Sequence, residues 1–168
     1  MKYGFKSTDT FHAIASSNSM TVSDGVATGY NKLTDYSIPM SSDFEITIDY
    51  QCSTSEGGLV FADTTNTNNF DSNTYQILTQ GSQVGITFNG YVGTTRSFNK
   101  NLSSSSGLNQ YNTIKLVKES GNISAYFNGT LIGTNTILNN NISNLCIGMY
   151  HWGTNIIQSM KNLKVKPL

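Results

Sequence analysis

Residues 150–155 bring aromatic and polar side chains together in one predicted loop. They include Tyr150, His151, Trp152 and Asn155, and Trp152 is the only tryptophan of the chain. Aromatic rings offer an apolar face to the C–H groups of a sugar ring, while Asn and His side chains hydrogen-bond its hydroxyl groups. This combination predicts a sugar contact. The alternative interpretation is that Trp152 anchors the loop on the core.

A second pair with binding chemistry is Tyr91 and Arg96, which lie in a predicted strand and turn. Arg96 is the only arginine in the sequence. A guanidinium group binds a carboxylate through two parallel hydrogen bonds. We therefore expect this pair to face the same sandwich rim as the polar loop at residues 63–73, and to suit a carboxylate-bearing sugar, such as a sialic or uronic acid.

The charge balance excludes several classes of partner. The chain carries 10 Lys and Arg residues against 10 Asp and Glu residues, and its formal net charge is zero. A nucleic-acid surface needs clustered basic residues, and only Lys161, Lys164 and Lys166 come close. We interpret these lysines as the solvated side of an edge strand. No apolar run is long enough to span a membrane, and the N-terminus does not resemble a signal peptide.

Patterns for metal binding and catalysis are weak. Cys52 and Cys146 lack the spacing of a zinc site, so they are either two buried thiols or one disulfide. His12 and His151 have no sequence neighbours that would form a Ser/His/Asp set. The residues alone therefore disfavour an enzyme.

The elements that must position these residues are β-strands. Asn, Ser and Thr supply roughly 60 of the 168 residues, well above ordinary usage, and apolar residues never recur with a 3.6-residue period. Residues 44–50 alternate apolar and polar side chains, as expected for a strand with one buried face. Residues 111–134 predict three strands joined by tight turns at Ser120-Gly121 and Asn128-Gly129.

Further turns follow from the same rules. Asp24-Gly25 and Asn89-Gly90 are predicted as hairpin turns, the second one between strands at 83–89 and 91–98. A further turn is predicted at Gly81-Ser82, before the first of these two strands. The residues around Pro39 are predicted as a loop. About a dozen short strands separated by turns predict one all-β domain spanning residues 1–168, a two-sheet antiparallel β-sandwich.

Short motifs in a fixed order cover about two thirds of the chain. They are Gly58-Leu59-Val60-Phe61, Tyr75-Gln76-Ile77-Leu78, Val84-Gly85-Ile86-Thr87-Phe88, Tyr111-Asn112-Thr113-Ile114-Lys115-Leu116-Val117, Ala125-Tyr126-Phe127-Asn128-Gly129, Leu145-Cys146-Ile147-Gly148 and Met160-Lys161-Asn162-Leu163-Lys164-Val165. In this order and spacing they resemble a laminin G-like domain of the concanavalin A-like lectin/glucanase superfamily. The resemblance implies a jelly-roll sandwich.

The resemblance also implies a calcium site at the sandwich rim. The positions that resemble the family pattern are Asp63 and Asp71, with Asn66 and Asn69 as further oxygen donors. The alternative is a plain solvated loop without a metal. Calcium is thus the only cofactor that we expect, and only from the resemblance.

Glucanases of the superfamily place three acidic residues at alternate positions of one strand. The nearest match is Glu45 and Asp49, but Thr47 stands between them, and this strand comes too early in the chain. We interpret the segment as a solvated strand face and predict that the protein is not an enzyme.

These observations predict a non-catalytic, lectin-like recognition or adhesion domain. Its expected partner is a cell-surface glycan or glycoprotein, without nucleic acid or membrane insertion, and a homo-oligomer is an option. The expected location is extracellular, at a cell surface or on a virion, as in a phage or viral receptor-binding or tail protein or a surface adhesin. The alternatives are a structural or protein-interaction module of a virion or surface assembly, and a glucanase-type glycoside hydrolase.

Overall fold

Two antiparallel β-sheets make up the fold. The computed structural model describes residues 2–63, 65–66, 70–79, 85–103 and 107–168. In spatial order, the eight-stranded sheet contains β13 (Thr130–Thr136), β12 (Asn122–Phe127), β11 (Asn112–Glu119), β6 (Phe44–Cys52), β15 (Gln158–Pro167), β4 (Val26–Tyr30) and β3 (Ser19–Ser23), and β1 (Lys2–Tyr3) pairs with β15. The seven-stranded sheet contains β10 (Thr95–Leu102), β9 (Ile86–Val92), β8 (Thr74–Thr79), β7 (Gly57–Asp63), β14 (Asn144–His151), β5 (Lys32–Pro39) and β2 (Phe11–Ala13). The predicted β-sandwich is confirmed.

The eight-stranded sheet buries one face only. Along β6 every second residue is buried, beginning with Phe44, while Glu45, Thr47 and Asp49 on the other face are partly exposed. Ile48 lies opposite a buried isoleucine of β11, so the apolar rows of neighbouring strands meet on the inner face. The alternation predicted for this strand is therefore confirmed.

The predicted hairpin turns of this sheet are also present. Asn128 and Gly129 have φ values of 48° and 83°, and Asp24 and Gly25 have φ values of 50° and 79°. Both residues of each pair occupy the left-handed region that a type I′ turn requires. These turns join β12 to β13 and β3 to β4.

The seven-stranded sheet is buried on both faces near its centre. Every residue of β7 and β8 is buried. On β7, Leu59 and Phe61 enter the core between the sheets, whereas Val60 and Ala62 belong to a separate apolar cluster on the outer face. The outer cluster consists of Ile14, Leu33, Val60, Ala62, Leu78, Cys146 and Tyr150, with Phe70 packed against it.

The two cysteines lie on different sides of this arrangement. Cys52 belongs to the core between the sheets and Cys146 to the outer cluster, and both are free thiols. The disulfide alternative is therefore wrong. Among the described residues no helix is long and apolar enough to cross a membrane.

The predicted turn at Asn89-Gly90 is wrong. Strand β9 continues to Val92, and the chain reverses at Gly93, which has a φ of 54°. Gly90 serves packing instead, because a Cβ atom there would lie 2.2 Å from the Phe98 ring. The predicted turn at Gly81-Ser82 lies outside the described residues.

Two loop predictions also change. The region before Pro39 is strand β5, in which Leu33 and Ile38 are buried. Strand β14 includes Tyr150 and His151, so the loop after it begins only at Trp152. Both additions widen the seven-stranded sheet, whose outer face carries the site described next.

Candidate functional site

A cleft opens on the outer face of the seven-stranded sheet, away from the core. Its volume is about 180 Å³, and its lining residues are Phe70, Asp71, Gln76, Leu78, Asn89, Tyr91, Arg96, Tyr150 and Trp152. Pockets that enclose drug-sized ligands measure roughly 300–1,000 Å³. This cleft therefore accepts a smaller group, and it joins two loops and four strands that are distant in sequence.

Three aromatic rings form one wall of the cleft. Phe70 stacks on Tyr150 with ring centroids 4.5 Å apart and an interplanar angle of 16°. Trp152 lies beside Tyr150, with centroids 5.6 Å apart. Tyr150 is only 2% exposed, whereas Trp152 is 45% exposed. The interpretation of Trp152 as a core anchor is therefore wrong, because Tyr150 packs inside and Trp152 keeps part of its ring open to solvent.

The backbone around this wall explains its position. Tyr150 pairs with Gly58 on β7, where a Cβ atom would lie 2.7 Å from a Leu78 methyl group. The absence of a side chain at Gly58 therefore lets neighbouring side chains pack closely on this face. The backbone N–H of Trp152 donates to the backbone carbonyl oxygen of Glu56 at 3.1 Å, and this bond holds the start of the loop against the residues before β7.

Gln76 connects the aromatic wall to a carboxylate. Its side chain is 1% exposed, and its Oε1 atom accepts a hydrogen bond of 3.2 Å from the Tyr150 hydroxyl. Its Nε2 atom donates to the Phe70 carbonyl at 2.5 Å and to Asp71 Oδ1 at 2.9 Å. One buried amide thus fixes both the loop that carries Phe70 and the Asp71 carboxylate at the cleft.

The opposite wall contains a chain of side-chain hydrogen bonds on β9 and β10. Thr87 Oγ1 donates to Asn101 Oδ1 at 3.0 Å, and Asn101 Nδ2 donates to Asn99 Oδ1 at 2.7 Å. Asn99 Nδ2 then donates to Asn89 Oδ1 at 2.6 Å. The side-chain oxygen Oδ1 of Asn89 is the acceptor in this series of hydrogen bonds. The Nδ2 group of Asn89 is therefore the donor that this side chain offers to a ligand.

Tyr91 and Arg96 complete this wall as a cross-strand pair. Burial raises the pKa of Tyr91, the Asp71 carboxylate raises it further, and Arg96 partly opposes this. Burial also raises the pKa of Tyr150 well above its usual value, with smaller contributions from Asp71 and Tyr91. Both phenols therefore stay neutral at physiological pH and can donate a hydrogen bond. The structure thus brings Tyr91, Arg96, Tyr150 and Trp152 together at one cleft.

His151 and Asn155 lie outside the cleft. The His151 ring packs edge-on against Tyr30 with centroids 4.3 Å apart, on the side of β14 opposite to Tyr150. Asn155 is exposed in the following loop with a φ of 58°. Because side chains alternate along a strand, Tyr150 and His151 cannot line the same surface. The predicted ligand contacts of His151 and Asn155 therefore do not belong to this cleft.

Asp63 stabilises a loop instead of lining the cleft. Its Oδ2 atom accepts hydrogen bonds from the N–H groups of Ser143 and Asn144 at 2.7 and 3.0 Å. Its Oδ1 atom accepts two more, each 3.0 Å long, from Thr65. Burial alone would raise the pKa of Asp63, but these bonds outweigh it and lower the pKa to about 2. The carboxylate thus connects the end of β7 to the segment before β14.

The two predicted calcium ligands do not form a shared cluster. Asp71 lines the cleft, whereas the oxygens of Asp63 already accept four hydrogen bonds from the protein. Within the described ranges there is no group of three or more His, Cys, Asp or Glu residues that could hold a metal ion. Calcium binding therefore stays a prediction. Asn66 donates to the Ser72 carbonyl, and Asn69 lies outside the described residues.

The catalytic patterns weighed in the sequence lie elsewhere. Glu45 is 3.9 Å from the ammonium group of Lys115, and Asp49 accepts hydrogen bonds from Thr113 and Asn162, all at the outer face of the eight-stranded sheet. These contacts are thus with side chains of this surface, away from the cleft.

His12 has a neighbour that the sequence did not indicate. His12 Nδ1 lies 2.9 Å from Asp35 Oδ1. However, the buried His12 Nε2 atom has no hydrogen-bond partner among the described residues, so no nucleophile completes a catalytic set.

Four cleft residues are absent from the sequence-based prediction of the site, namely Phe70, Gln76, Leu78 and Asn89. Gln76 could have been found, because it is a polar residue in an otherwise apolar strand segment. The Asn89-Gly90 pair predicts a turn, and this signal conceals the position of Asn89 on strand β9. Phe70 and Leu78 give no signal, since a lone aromatic residue in a polar loop and a leucine in a strand are both common.

Comparisons with known proteins establish the fold. No protein-family model and no curated protein matches the sequence. The exoplasmic/lumenal domain of VIP36 in its Ca2+/Man-bound form has a TM-score of 0.67 at 8% identity, covering 95% of this chain and 83% of that one. Carbohydrate-binding module CBM66 from Bacillus subtilis has a TM-score of 0.64 at 14% identity, covering 96% and 99%. A prokaryotic β-1,3-1,4-glucanase from a mouse hindgut metagenome has a TM-score of 0.62 at 8% identity, covering 99% and 97%.

These structures are concanavalin A-like jelly rolls, and this chain has the same fold. The jelly-roll fold that the resemblance implied is therefore confirmed, while membership of the superfamily and of its laminin G-like subdivision stays a prediction. Because the three identities do not exceed 14%, the similarity establishes the fold and not the activity.

Proposed function

We propose that this protein is a carbohydrate-binding domain that holds sugars in the cleft on its seven-stranded sheet without cleaving them. The observation that carries the proposal is the partly exposed Trp152 ring, which lines one cleft together with the Asp71 carboxylate and the Asn89 amide, both held by hydrogen bonds. Among the structures with the same fold, one is named a carbohydrate-binding module and another is in a Ca2+/Man-bound form. Both support sugar binding as the class of function.

The proposed mode of binding uses the two walls for different tasks. The exposed part of Trp152 stacks on the C–H face of a sugar ring. Asp71 accepts a hydrogen bond from one hydroxyl group, and the Asn89 amide donates one to another. Because Gln76 and the asparagine chain already hold these two groups in place, little side-chain entropy is lost when the ligand binds.

Hydrolysis is the second candidate, since a β-1,3-1,4-glucanase shares the fold. Glycosidases of the common two-carboxylate type place the pair roughly 5–9.5 Å apart across the scissile bond. Asp71 is the one carboxylate among the described residues that line the cleft. We therefore expect no release of reducing sugar from β-glucans. Release that the Asp71→Asn variant abolishes would establish the glycosidase instead.

The proposal extends to the biological setting. A cell-surface glycan or glycoprotein is the expected partner, at an extracellular surface or on a virion, in a receptor-binding, tail or adhesin protein. The weakly charged, Asn/Ser/Thr-rich composition supports this setting. A protein-interaction module is the alternative, and the observation in its favour is Ile157, which is 68% exposed in the loop that carries Trp152.

A glycan library tests the proposal. We expect binding to at least one saccharide and a loss of affinity of at least about tenfold in Trp152→Ala. Tyr111→Ala is the matched control, because Tyr111 is a partly exposed aromatic residue that contacts Lys161 of the eight-stranded sheet. Repeating the titration with Ca2+ and with a chelator tests the calcium prediction. No binding to any saccharide, or equal effects of the two variants, would refute the proposal.

A further inference from the structure

Two opposite charges line the cleft, and which of them dominates decides the charge of its ligand. Arg96 favours sugars that carry a carboxylate, as the sequence predicted, because a guanidinium group pairs with carboxylates. Asp71 opposes such sugars, since two carboxylates repel each other, but it accepts hydrogen bonds from neutral hydroxyl groups. The two residues therefore make opposite demands on the same ligand.

The surroundings of the two charges differ. Asp71 is partly buried beside the aromatic wall, and the almost fully buried amide of Gln76 fixes one of its oxygens at 2.9 Å. Arg96 is exposed. Water and salt screen an exposed charge strongly, whereas a charge next to buried rings acts through a medium of lower dielectric constant. The field inside the cleft is therefore set more by Asp71 than by Arg96.

The two tyrosines of the cleft are consistent with this ranking. Burial is the main reason that the pKa values of Tyr91 and Tyr150 are raised, and Asp71 raises both of them further. Arg96 lowers the pKa of Tyr91, where its contribution is smaller than that of Asp71. The negative charge thus reaches both walls of the cleft.

Hydrogen-bond capacity supports the same conclusion. The Asp71 carboxylate lines the cleft, and an ionised carboxylate can accept hydrogen bonds but not donate them. Asn89 offers its Nδ2 group as a donor on the opposite wall, because its Oδ1 atom accepts a hydrogen bond from Asn99. A hydroxyl group can donate and accept, so a neutral sugar matches both walls. A sugar carboxylate can only accept, so it matches Asn89 and Arg96 but not Asp71.

We infer, on the basis of the carbohydrate binding proposed above, that the cleft selects neutral sugars whose hydroxyl groups donate to Asp71 and discriminates against uronic and sialic acids. Asp71 is then the residue that determines ligand charge. Arg96 contributes a hydrogen bond to a hydroxyl or ring oxygen at the rim.

The test compares sugars that differ only in charge, namely oligomers of glucose, galactose and mannose against their uronic acid counterparts. Trp152 is the only tryptophan, so its fluorescence reports binding directly. We expect the neutral member of the best-binding pair to bind at least about tenfold tighter. Asp71→Asn should weaken binding of this neutral sugar about 10- to 100-fold and reduce the ratio of neutral-sugar affinity to uronate affinity. Arg96→Gln should lower the affinity for the uronate more than the affinity for the neutral sugar.

Asp24→Asn, the same change in the exposed β3–β4 turn, is the matched control and should bind like the unaltered protein. Raising the salt concentration provides a test that needs no variant, because it should screen the exposed Arg96 more than the partly buried Asp71, so the ratio of neutral-sugar affinity to uronate affinity should not fall. Tighter binding of the uronate, or an unchanged preference in folded Asp71→Asn, would overturn this inference alone. If no sugar in the set bound at all, the proposed function itself would fail.

Discussion

The two sheets of this sandwich bury similar inner faces but differ in how they use their outer faces. On the eight-stranded sheet the outer residues are partly exposed and pair with each other, as Glu45 does with Lys115. On the seven-stranded sheet the outer residues Val60 and Ala62 are fully buried, and Phe70 packs against their cluster. The first surface faces solvent, whereas the second forms a covered layer with a cleft in it.

The difference explains why the residues of the proposed binding cleft lie on the seven-stranded sheet. Exposed ion pairs contribute about 0–1 kcal/mol each, because water screens them. Polar groups in a covered layer interact more strongly and must all find partners. Gln76, Asn89 and Asp71 satisfy this condition through fixed hydrogen bonds. A covered outer face with a few fixed polar groups is therefore the feature that distinguishes the site from the rest of the surface.

The largest effect should come from placing the same polar residue on each outer face. Val60→Asn would bury an amide in the apolar outer cluster and should lower the free energy of unfolding by about 2–4 kcal/mol. Thr47→Asn on the eight-stranded sheet should change it by less than about 0.5 kcal/mol. Urea unfolding of both variants checks the contrast. Equal losses would contradict the assignment of a covered layer to the seven-stranded sheet.

A smaller effect should follow from Asp63→Asn, which weakens the four hydrogen bonds at the end of β7. We expect a loss of about 1–3 kcal/mol at neutral pH, because a charged acceptor is lost. The pKa of Asp63 is lowered from 3.8 to about 2 on folding. Its contribution is therefore complete above pH 4 and is lost as the pH falls toward 2.

Denaturation curves between pH 7 and pH 2 measure this dependence. Asp49→Asn is the control on the eight-stranded sheet, where two side chains also donate to the carboxylate. A loss in Asp63→Asn that stays constant down to pH 2 would show that the carboxylate charge is not what stabilises the loop.

The smallest of the stability effects concerns one aromatic residue on each face. Phe70→Ala removes a ring stacked on Tyr150 and should destabilise the protein by about 1–2 kcal/mol. Tyr126→Ala removes a ring that lies 4.6 Å from the Lys115 ammonium group and should cost less than about 1 kcal/mol. Melting temperatures compare the two, and the reverse order would show that Phe70 does not cover the outer cluster.

The sequence predicts the exposed sheet better than the covered one. The strand at Phe44–Cys52 has one wet face, so its alternation predicts both its span and its orientation. In β7 and β8 both faces are buried. The sequence therefore shows no alternation of apolar and polar residues that would distinguish the residues of the core from those of the outer cluster. Asn89-Gly90 carries a hairpin signal, but Gly90 is required for contact with the Phe98 ring.

The sequence predicts the site only as separate pieces. The chemistry of Trp152, Tyr91 and Arg96 indicates sugar contacts, whereas Asp71 is predicted only as a calcium ligand. Their meeting in one cleft depends on the strand order β10-β9-β8-β7-β14, which local sequence patterns do not specify. Gln76, which joins the aromatic wall to Asp71, becomes visible only once that order is known.

The most direct test of the central claim maps the ligand onto the two outer faces by NMR. The labelled protein is titrated with the tightest-binding saccharide of the library, and the shifts of backbone and side-chain amides are followed. We predict that the shifts concentrate at Asn89, Tyr91, Arg96 and Trp152, with none on the outer residues of β6, β11 and β12. Shifts that concentrate on the eight-stranded sheet would contradict the account.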